Sequence, residues 1–297
     1  MLFAATLVTV FGTYLLLFAG AWTDSGAVLI RGDMVWRSLE FTLAAVSILG
    51  SHELGHYVLA RRYRLSTSLP YFIPLPLLGF GTLGAVIRVR DRIPTRNALV
   101  DIGAAGPLAG VLVALPFLAW GYAHSQFTPT PPTAPGFLGP YSLWSLLQHG
   151  MPTPEPVLYA DNLLLRIFER LFLGPRPPGM DVAAHPFVLA GWLGTMVTML
   201  NLFPVGQLDA GHLTYALLGE RARTLGRVVL AALVFLALCF SFTWLAWLLV
   251  VGMVVGVRHP PLTRPEEPLG VGRGWLCAVT LVVAALCFLP APIVAPL

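Results

Sequence analysis

Long apolar runs constrain this chain before any motif does. Residues 2–22, 98–122 and 228–257 are nearly free of charge, and a helix that spans a bilayer needs about 20 such residues. Hydrophobic side chains make up 57% of the sequence and charged ones 11%. A soluble domain, in which roughly a quarter of residues are charged, could not be covered from that supply. The expected fold is an all-α polytopic membrane protein with about six to seven transmembrane helices.

The spans expected are 2–22, about 36–61, 98–122 and 186–203, then a short helix reaching 218. The apolar stretch 228–257 is too long for one ordinary span, and Ser241 and Thr243 near its middle predict a tight hairpin of two short helices. A last helix is expected over 274–289. Segment 2–22 lacks a basic leading region and a small-residue cleavage site, so it is read as a retained helix rather than a signal peptide.

Two regions depart from this pattern. Residues 65–97 are rich in Pro, Gly and β-branched residues, and 84–90 end in strand-like alternation. Irregular backbone at membrane depth survives only when packed in protein or lining a wet cavity. A re-entrant or interfacial β-hairpin is therefore predicted between helices two and three. Residues 123–184 form a Pro-rich hydrophilic loop, containing an amphipathic piece at 161–172 suited to the interface. The chain is expected to be a single integral-membrane domain, 1–297, with a core at about 36–220, an outer loop at 123–184 and C-terminal helices over 224–297.

All 18 basic residues are arginine, and their placement is informative while the net charge of +4 is not. Arginines 61, 62, 64, 88, 90, 92, 96, 221, 223, 227, 258, 264 and 273 fall on one side of these spans; 31, 37, 166, 170 and 176 fall on the other. By the positive-inside rule the first side is cytoplasmic. The N-terminus and the end of helix two then face the cytoplasm, the 123–184 loop faces out, and no nucleic-acid partner is implied. Cys239, Cys277 and Cys287 lie in apolar runs and read as reduced, buried residues.

Against this background the stretch SHELGHYVLARRYR, 51–64, is costly. Ionisable groups at membrane depth cost several kcal/mol each on insertion scales, about 2.5–3.5 for the strongest. His52, Glu53 and His56 form an H-E-x-x-H match. His52 and His56 lie one turn apart on one helix face, a spacing that suits two imidazole nitrogens on one zinc ion. Glu53 is rotated by about 100° from His52, so it need not ligate and is free to take a proton from water at the metal. A third protein ligand is required.

That ligand is sought in NLFPVGQLDAGHL, 201–213. Asp209 offers a hard oxygen, and Pro204 and Gly206 break the helix so that the chain can turn Asp209 toward helix two. Asn201 offers an amide for substrate backbone or a developing oxyanion. Both also read as helix caps at a membrane boundary. His212 competes as a ligand. His124, His149, His185, His259 and Glu40 read as interfacial polar residues.

These residues resemble the site-2 protease family of intramembrane zinc metalloproteases. Its signatures are HExxH on one transmembrane helix and a later N-x-x-P-x-x-x-L-D-G, matched here by Asn201, Pro204, Leu208 and Asp209, with Ala210 in place of the usual glycine. The stretch GAAGPLAG resembles the family's G-P-x-x-N segment, with Gly110 in place of asparagine. No PDZ-like segment is evident, which suggests the PDZ-free branch, and RHPP at 258–261 is similar to prokaryotic and plastid members. The resemblance implies one zinc ion per chain and an endopeptidase acting on transmembrane segments of single-span membrane-protein substrates, near the cytoplasmic side of a prokaryotic inner membrane. Gly84, Ala85, Val86 and Ile87 would pair with the unwound substrate by β-augmentation. The rival readings are a membrane zinc or cation carrier and a catalytically inactive scaffold of the same fold.

Overall fold

The computed structural model describes residues 1–19, 21–22, 28–77, 79–129, 147, 158–291 and 293–294. Asp24, His149 and most of the Pro-rich stretch 128–136 lie outside the described residues.

The first apolar run forms α1 (Leu2–Thr13), continued by a π-helical turn, Tyr14–Ala19. The helix stops there rather than at residue 22, because Ala21–Trp22 (β1) pairs antiparallel with Val28–Leu29 (β2). Next comes α2 (Gly32–Arg62), longer than expected at 31 residues. Its buried Ser38 and Thr42 hydroxyls donate back to the carbonyls of Met34 and Ser38 at 2.7 and 2.6 Å, so neither is left unpaired inside the bundle. Arg61 and Arg62 occupy its last turn, where positive charge complements the helix dipole.

The hairpin predicted between helices two and three is present. β3 (Tyr71–Pro74) pairs antiparallel with β4 (Thr82–Val86), with a register shift between Phe72 and Pro74. The regular strand is shorter than the alternation at 84–90 suggested. Beyond Val86 the chain is held by Arg88 and Arg90, which bond to Ser68 and Ser66. Helix α1 anchors the tip: the Thr9 hydroxyl donates to the Gly81 carbonyl at 2.7 Å, and the Leu77 N–H donates to Thr13 at 3.1 Å.

The Thr95 side chain caps α3 (Arg96–Ala123) by accepting from the Ala98 N–H at 3.2 Å. The hydrophilic loop that follows contains β5 (Gln126–Pro129), β6 (Leu158–Tyr159), α4 (Leu163–Phe172) and β7 (Met180–Ala183), with β5 and β7 paired antiparallel. That pairing joins segments some 50 residues apart in sequence (129 to 180), which local pattern does not reveal. Asn162 caps α4 at Leu165 N–H and donates its amide to Thr195 at 2.9 Å, tying the loop to the bundle.

The remaining helices are α5 (Pro186–Asn201), α6 (Asp209–Leu218), α7 (Ala222–Cys239), α8 (Thr243–Val250) and α9 (Val271–Cys287), followed by β8 (Ile293–Val294) paired with β6. The stretch 228–257 is split, with Ser241 and Thr243 hydroxyls bonded to each other at 2.8 Å in the break. Among the described residues three helical stretches are long and apolar enough to cross a membrane, 2–19, 96–123 and 209–239, with shorter apolar helices at 186–201, 243–253 and 271–287.

Helices α2, α3 and α5 pack against one another around Phe41, Ile48, Leu118 and Trp192. The outer surface is as greasy as the interior: Leu43, Leu54, Val58, Leu112, Phe235, Leu249 and Trp275 are all exposed. Contiguous apolar surface of this kind needs lipid rather than water against it. The costly polar residues face the other way, into the bundle.

Candidate active site

His52 and His56 project from the buried face of α2, their rings 5.0 Å apart. Asp209 arrives from another part of the chain. Helix α5 ends at Asn201, Pro204 follows, and Gly206 takes a left-handed turn with φ +53. A β-carbon on Gly206 would lie 1.9 Å from the Gly256 carbonyl oxygen, so the turn needs glycine for space as well as for φ. It reverses the chain and puts Asp209 at the first position of α6. Leu208, not Asp209, is the capping residue there, so the cap reading of Asp209 gives way.

The Asp209 carboxylate points at both imidazoles. Its Oδ2 is 3.2 Å from His52 Nε2, and its Oδ1 is 3.3 Å from His56 Nε2. Two ligands bonded at 2.0–2.1 Å to a tetrahedral ion stand about 3.3 Å apart. The carboxylate is thus a tetrahedron's edge away from each nitrogen, and all three donor atoms lie within 4.8 Å of one another. Asp209 Oδ2 is buried with no hydrogen-bond partner. A buried, unbonded carboxylate oxygen facing two imidazole nitrogens fits a borderline cation such as zinc.

Backbone orients the His56 ring. His56 Nδ1 is 2.8 Å from the Ile102 carbonyl. A carbonyl only accepts, so Nδ1 carries the proton and the Nε2 lone pair is left for a metal. Helix α3 can come this close because it presents glycines. A β-carbon at Gly110 would sit 3.2 Å from His52 Cβ. The glycine that replaces the family's asparagine here therefore lets α3 rest directly on His52.

Glu53 is buried beside the two histidines and lines the same cavity as Ile87. Asn201 Nδ2 is 3.3 Å from His52 Nε2, so the last residue of α5 lies in the same cluster rather than at a remote boundary. Glu53, His56, Asn201 and Asp209 line one cavity of about 580 Å³, walled on its far side by residues 85–93.

That wall contains most of the expected substrate strand. Ala85 and Val86 are already paired with Phe72 and Tyr71 of β3, and Arg88 and Arg90 use their backbone groups on the same side, toward Ser68 and Ser66. Successive residues of an extended chain point their backbone groups to opposite edges. Ile87, Val89 and Asp91 therefore face the other edge, where no strand pairs among the described residues. Of the four residues expected, Ala85, Val86 and Ile87 line the cavity, and Ile87 is the one beyond the regular strand pairing.

His212 turns away from the three donors and bonds to His259, Nδ1 to Nε2, at 2.7 Å. His259 Nδ1 lies 2.6 Å from the Pro260 carbonyl, so it carries a proton, and His212 is the donor of the pair. Burial holds the His259 imidazole below its ordinary pKa, against the opposing pull of that carbonyl. His259 is thus a cavity-lining residue and not the bland interfacial group expected. The RHPP stretch that carries it was visible in the sequence, but its contact with α6 was not. His185 and Glu40 lie 3.5 Å apart, away from this cluster, and the Ser51 hydroxyl bonds back to the Ile48 carbonyl.

Comparison with known proteins gives several relatives named as zinc metalloproteases. The chain is 30% identical over 254 residues to the Arabidopsis thaliana protein named probable zinc metalloprotease EGY1, chloroplastic, covering 85% of this chain and 43% of that protein. It is 28% identical over 240 residues to the EGY1 protein of Oryza sativa subsp. japonica, covering 80% and 38%. An EGY2 protein of Oryza sativa subsp. indica is 26% identical over 226 residues, covering 76% and 37%. The chain spans less than half the length of each of these relatives. No solved structure matches it. The model of peptidase family M50 matches residues 40–243, most of the chain and all of the cluster just described, and the chain belongs to that family.

Proposed function

We propose that this chain is an intramembrane zinc endopeptidase in which His52, His56 and Asp209 hold one zinc ion and Glu53 is the general acid–base. The observation that carries the reading is the donor geometry: two imidazoles and a carboxylate with one unbonded oxygen, at tetrahedral spacing, with Glu53 in the same cavity. Bound there, zinc supplies a Lewis acid that polarises a peptide carbonyl and acidifies water. Glu53 takes the proton from the attacking water and returns it to the departing amine. Asn201 donates its amide to the carbonyl oxygen as negative charge develops.

A transmembrane helix has its backbone groups bonded internally, so the substrate must unwind before its peptide reaches Glu53. The unpaired edge at Ile87 and Val89 supplies replacement hydrogen bonds next to the reacting carbonyl, by β-augmentation. Single-span proteins fit this best, since one helix can enter sideways without pulling partners with it. The whole of 1–297 works as one integral-membrane domain, with its core at about 36–220. The arginine distribution is the support for placing the N-terminus and the active-site end on the cytoplasmic side of its membrane.

The test is cleavage of a single-span substrate by the purified, reconstituted chain. Glu53→Gln is expected to keep about one zinc per chain, by the one-ion site argued above, and to lose cleavage. Full activity in a clean Glu53→Gln preparation sinks the reading. Zinc flux into proteoliposomes that Asp209→Ala stops would favour the carrier instead.

A further inference from the structure

The wall of the cavity opposite Glu53 carries a charge pattern that the reaction chemistry does not use. Arg88, Arg90 and Arg92 all line the cavity and are exposed. They alternate along the chain, so the extended backbone sets Arg88 and Arg90 on one face. Among the described residues, none of the three is in a salt bridge. Asp91 lies between them; its carboxylate accepts from the Ser66 N–H at 2.6 Å, and this bond, together with the nearby Arg90 charge, holds its pKa down. Glu53 and Asp209 are buried at the floor. Three arginines against one hydrogen-bonded carboxylate leave the wall a net cationic row beside an open strand edge.

We propose that this row selects substrates by an acidic stretch: carboxylates at alternate positions, on one side of the scissile bond. The inference rests on the protease reading above and specifies its substrate class. Residues directly opposite on paired strands stand about 4.5–5.5 Å apart at Cβ, and opposite charges there attract. Ile87 and Glu53 line the same cavity, so the scissile residue is placed near Ile87. At about 3.3 Å per residue, partners of Arg88 to Arg92 then fall within about five residues of it. The pattern also discriminates. Most membrane proteins flank the cytoplasmic ends of their helices with Lys and Arg, and like charges set against this row would be repelled. Anionic lipid is the other chemistry that arginines bind. Against it, these three face a protein cavity that holds the reactive cluster, and they follow a strand register.

The test separates recognition from chemistry. The Glu53→Gln chain, in nanodiscs of neutral lipid, is titrated with three single-span peptides carrying Asp, Asn or Arg at alternate positions beside the cleavage segment. The Asp peptide is expected to bind about 5- to 10-fold more tightly than the Asn peptide, and the Arg peptide more weakly still, with the differences shrinking as salt rises. Arg88→Glu combined with Arg90→Glu is expected to reverse the order, which a merely unfolded variant would not do. Equal binding of all three peptides overturns the proposal. So does a preference that survives the double substitution, or one that appears only when anionic lipid is present, which would make the row a lipid contact. Cleavage by the wild-type chain is followed in parallel. If binding follows the charge order and none of the peptides is cut, the protease reading fails while the acidic selectivity stands.

Discussion

Gly106 of α3 faces His56 of α2 so closely that a β-carbon on residue 106 would lie 2.0 Å from His56 Nε2. The nearest neighbour of that nitrogen on the α3 side is thus an absent side chain. Gly106→Ala is expected to push the imidazole off its line to Asp209 and to weaken zinc binding by at least about 10-fold, in the range seen when a ligand's supporting contacts are lost. Elemental analysis beside circular dichroism checks it; normal zinc content in a folded Gly106→Ala chain contradicts the geometry.

Asp209 and the two histidines are the ligands proposed for one ion, so removal of any of the three is expected to release it. Asp209→Ala and chelation of the wild-type chain should both give metal-free protein. Each should lower the thermal midpoint, because a ligand bound only by the folded state stabilises it by about 2.7 kcal/mol at 100 times its dissociation constant. Melting curves with and without chelator measure this. A midpoint unchanged by chelation would show that no tightly held ion contributes.

Arg273 on α9 reaches back to Asp101 on α3 at 2.7 Å, and Asp101 also accepts from the Tyr63 hydroxyl. These bonds tie the last helix to the end of α2. Arg273 is about a third exposed, so Arg273→Ala is expected to cost only about 1 kcal/mol. The loss should appear as faster hydrogen exchange in α9, with the zinc content unchanged.

Asn162 is fully buried and does two jobs, capping α4 and donating to Thr195. Asn162→Ala is expected to cost about 1–3 kcal/mol, from the lost cap together with the lost bond to Thr195, whose hydroxyl keeps its bond to the Trp192 carbonyl. Proteolysis of the outer loop should quicken. A variant as protease-resistant as wild type would argue that the loop is held elsewhere.

His259 connects acidity to the cover of the cavity. Burial lowers its pKa in the fold, so the folded state binds fewer protons than the unfolded chain. Its contribution is present above the unfolded value of about 6.5 and is lost as pH falls through the lower folded value. Hydrogen exchange over 256–262 is expected to quicken on acidification below about pH 6, and His259→Phe should remove that dependence while keeping the stacking on Tyr215.

The sequence alone determined that this is a membrane-embedded helical protein, because long charge-free runs have one stable environment. It also singled out His52, Glu53, His56 and Asp209, because ionisable groups are too costly to lie idle among apolar neighbours. A helix period is enough to place His52 and His56 on one face. What periodicity could not supply was distance. That the Asp209 carboxylate stops one tetrahedral edge from each imidazole depends on a turn at Gly206 fitted against Gly256. That His56 keeps its lone pair free depends on the Ile102 carbonyl of another helix. That the free backbone edge of the hairpin lies at Ile87 and Val89 depends on the segment Ser66 to Pro74 taking the other side. His259 joined the cavity through a loop folded back onto α6. Each of these is a contact between segments far apart in the chain, and only tertiary packing decides such contacts.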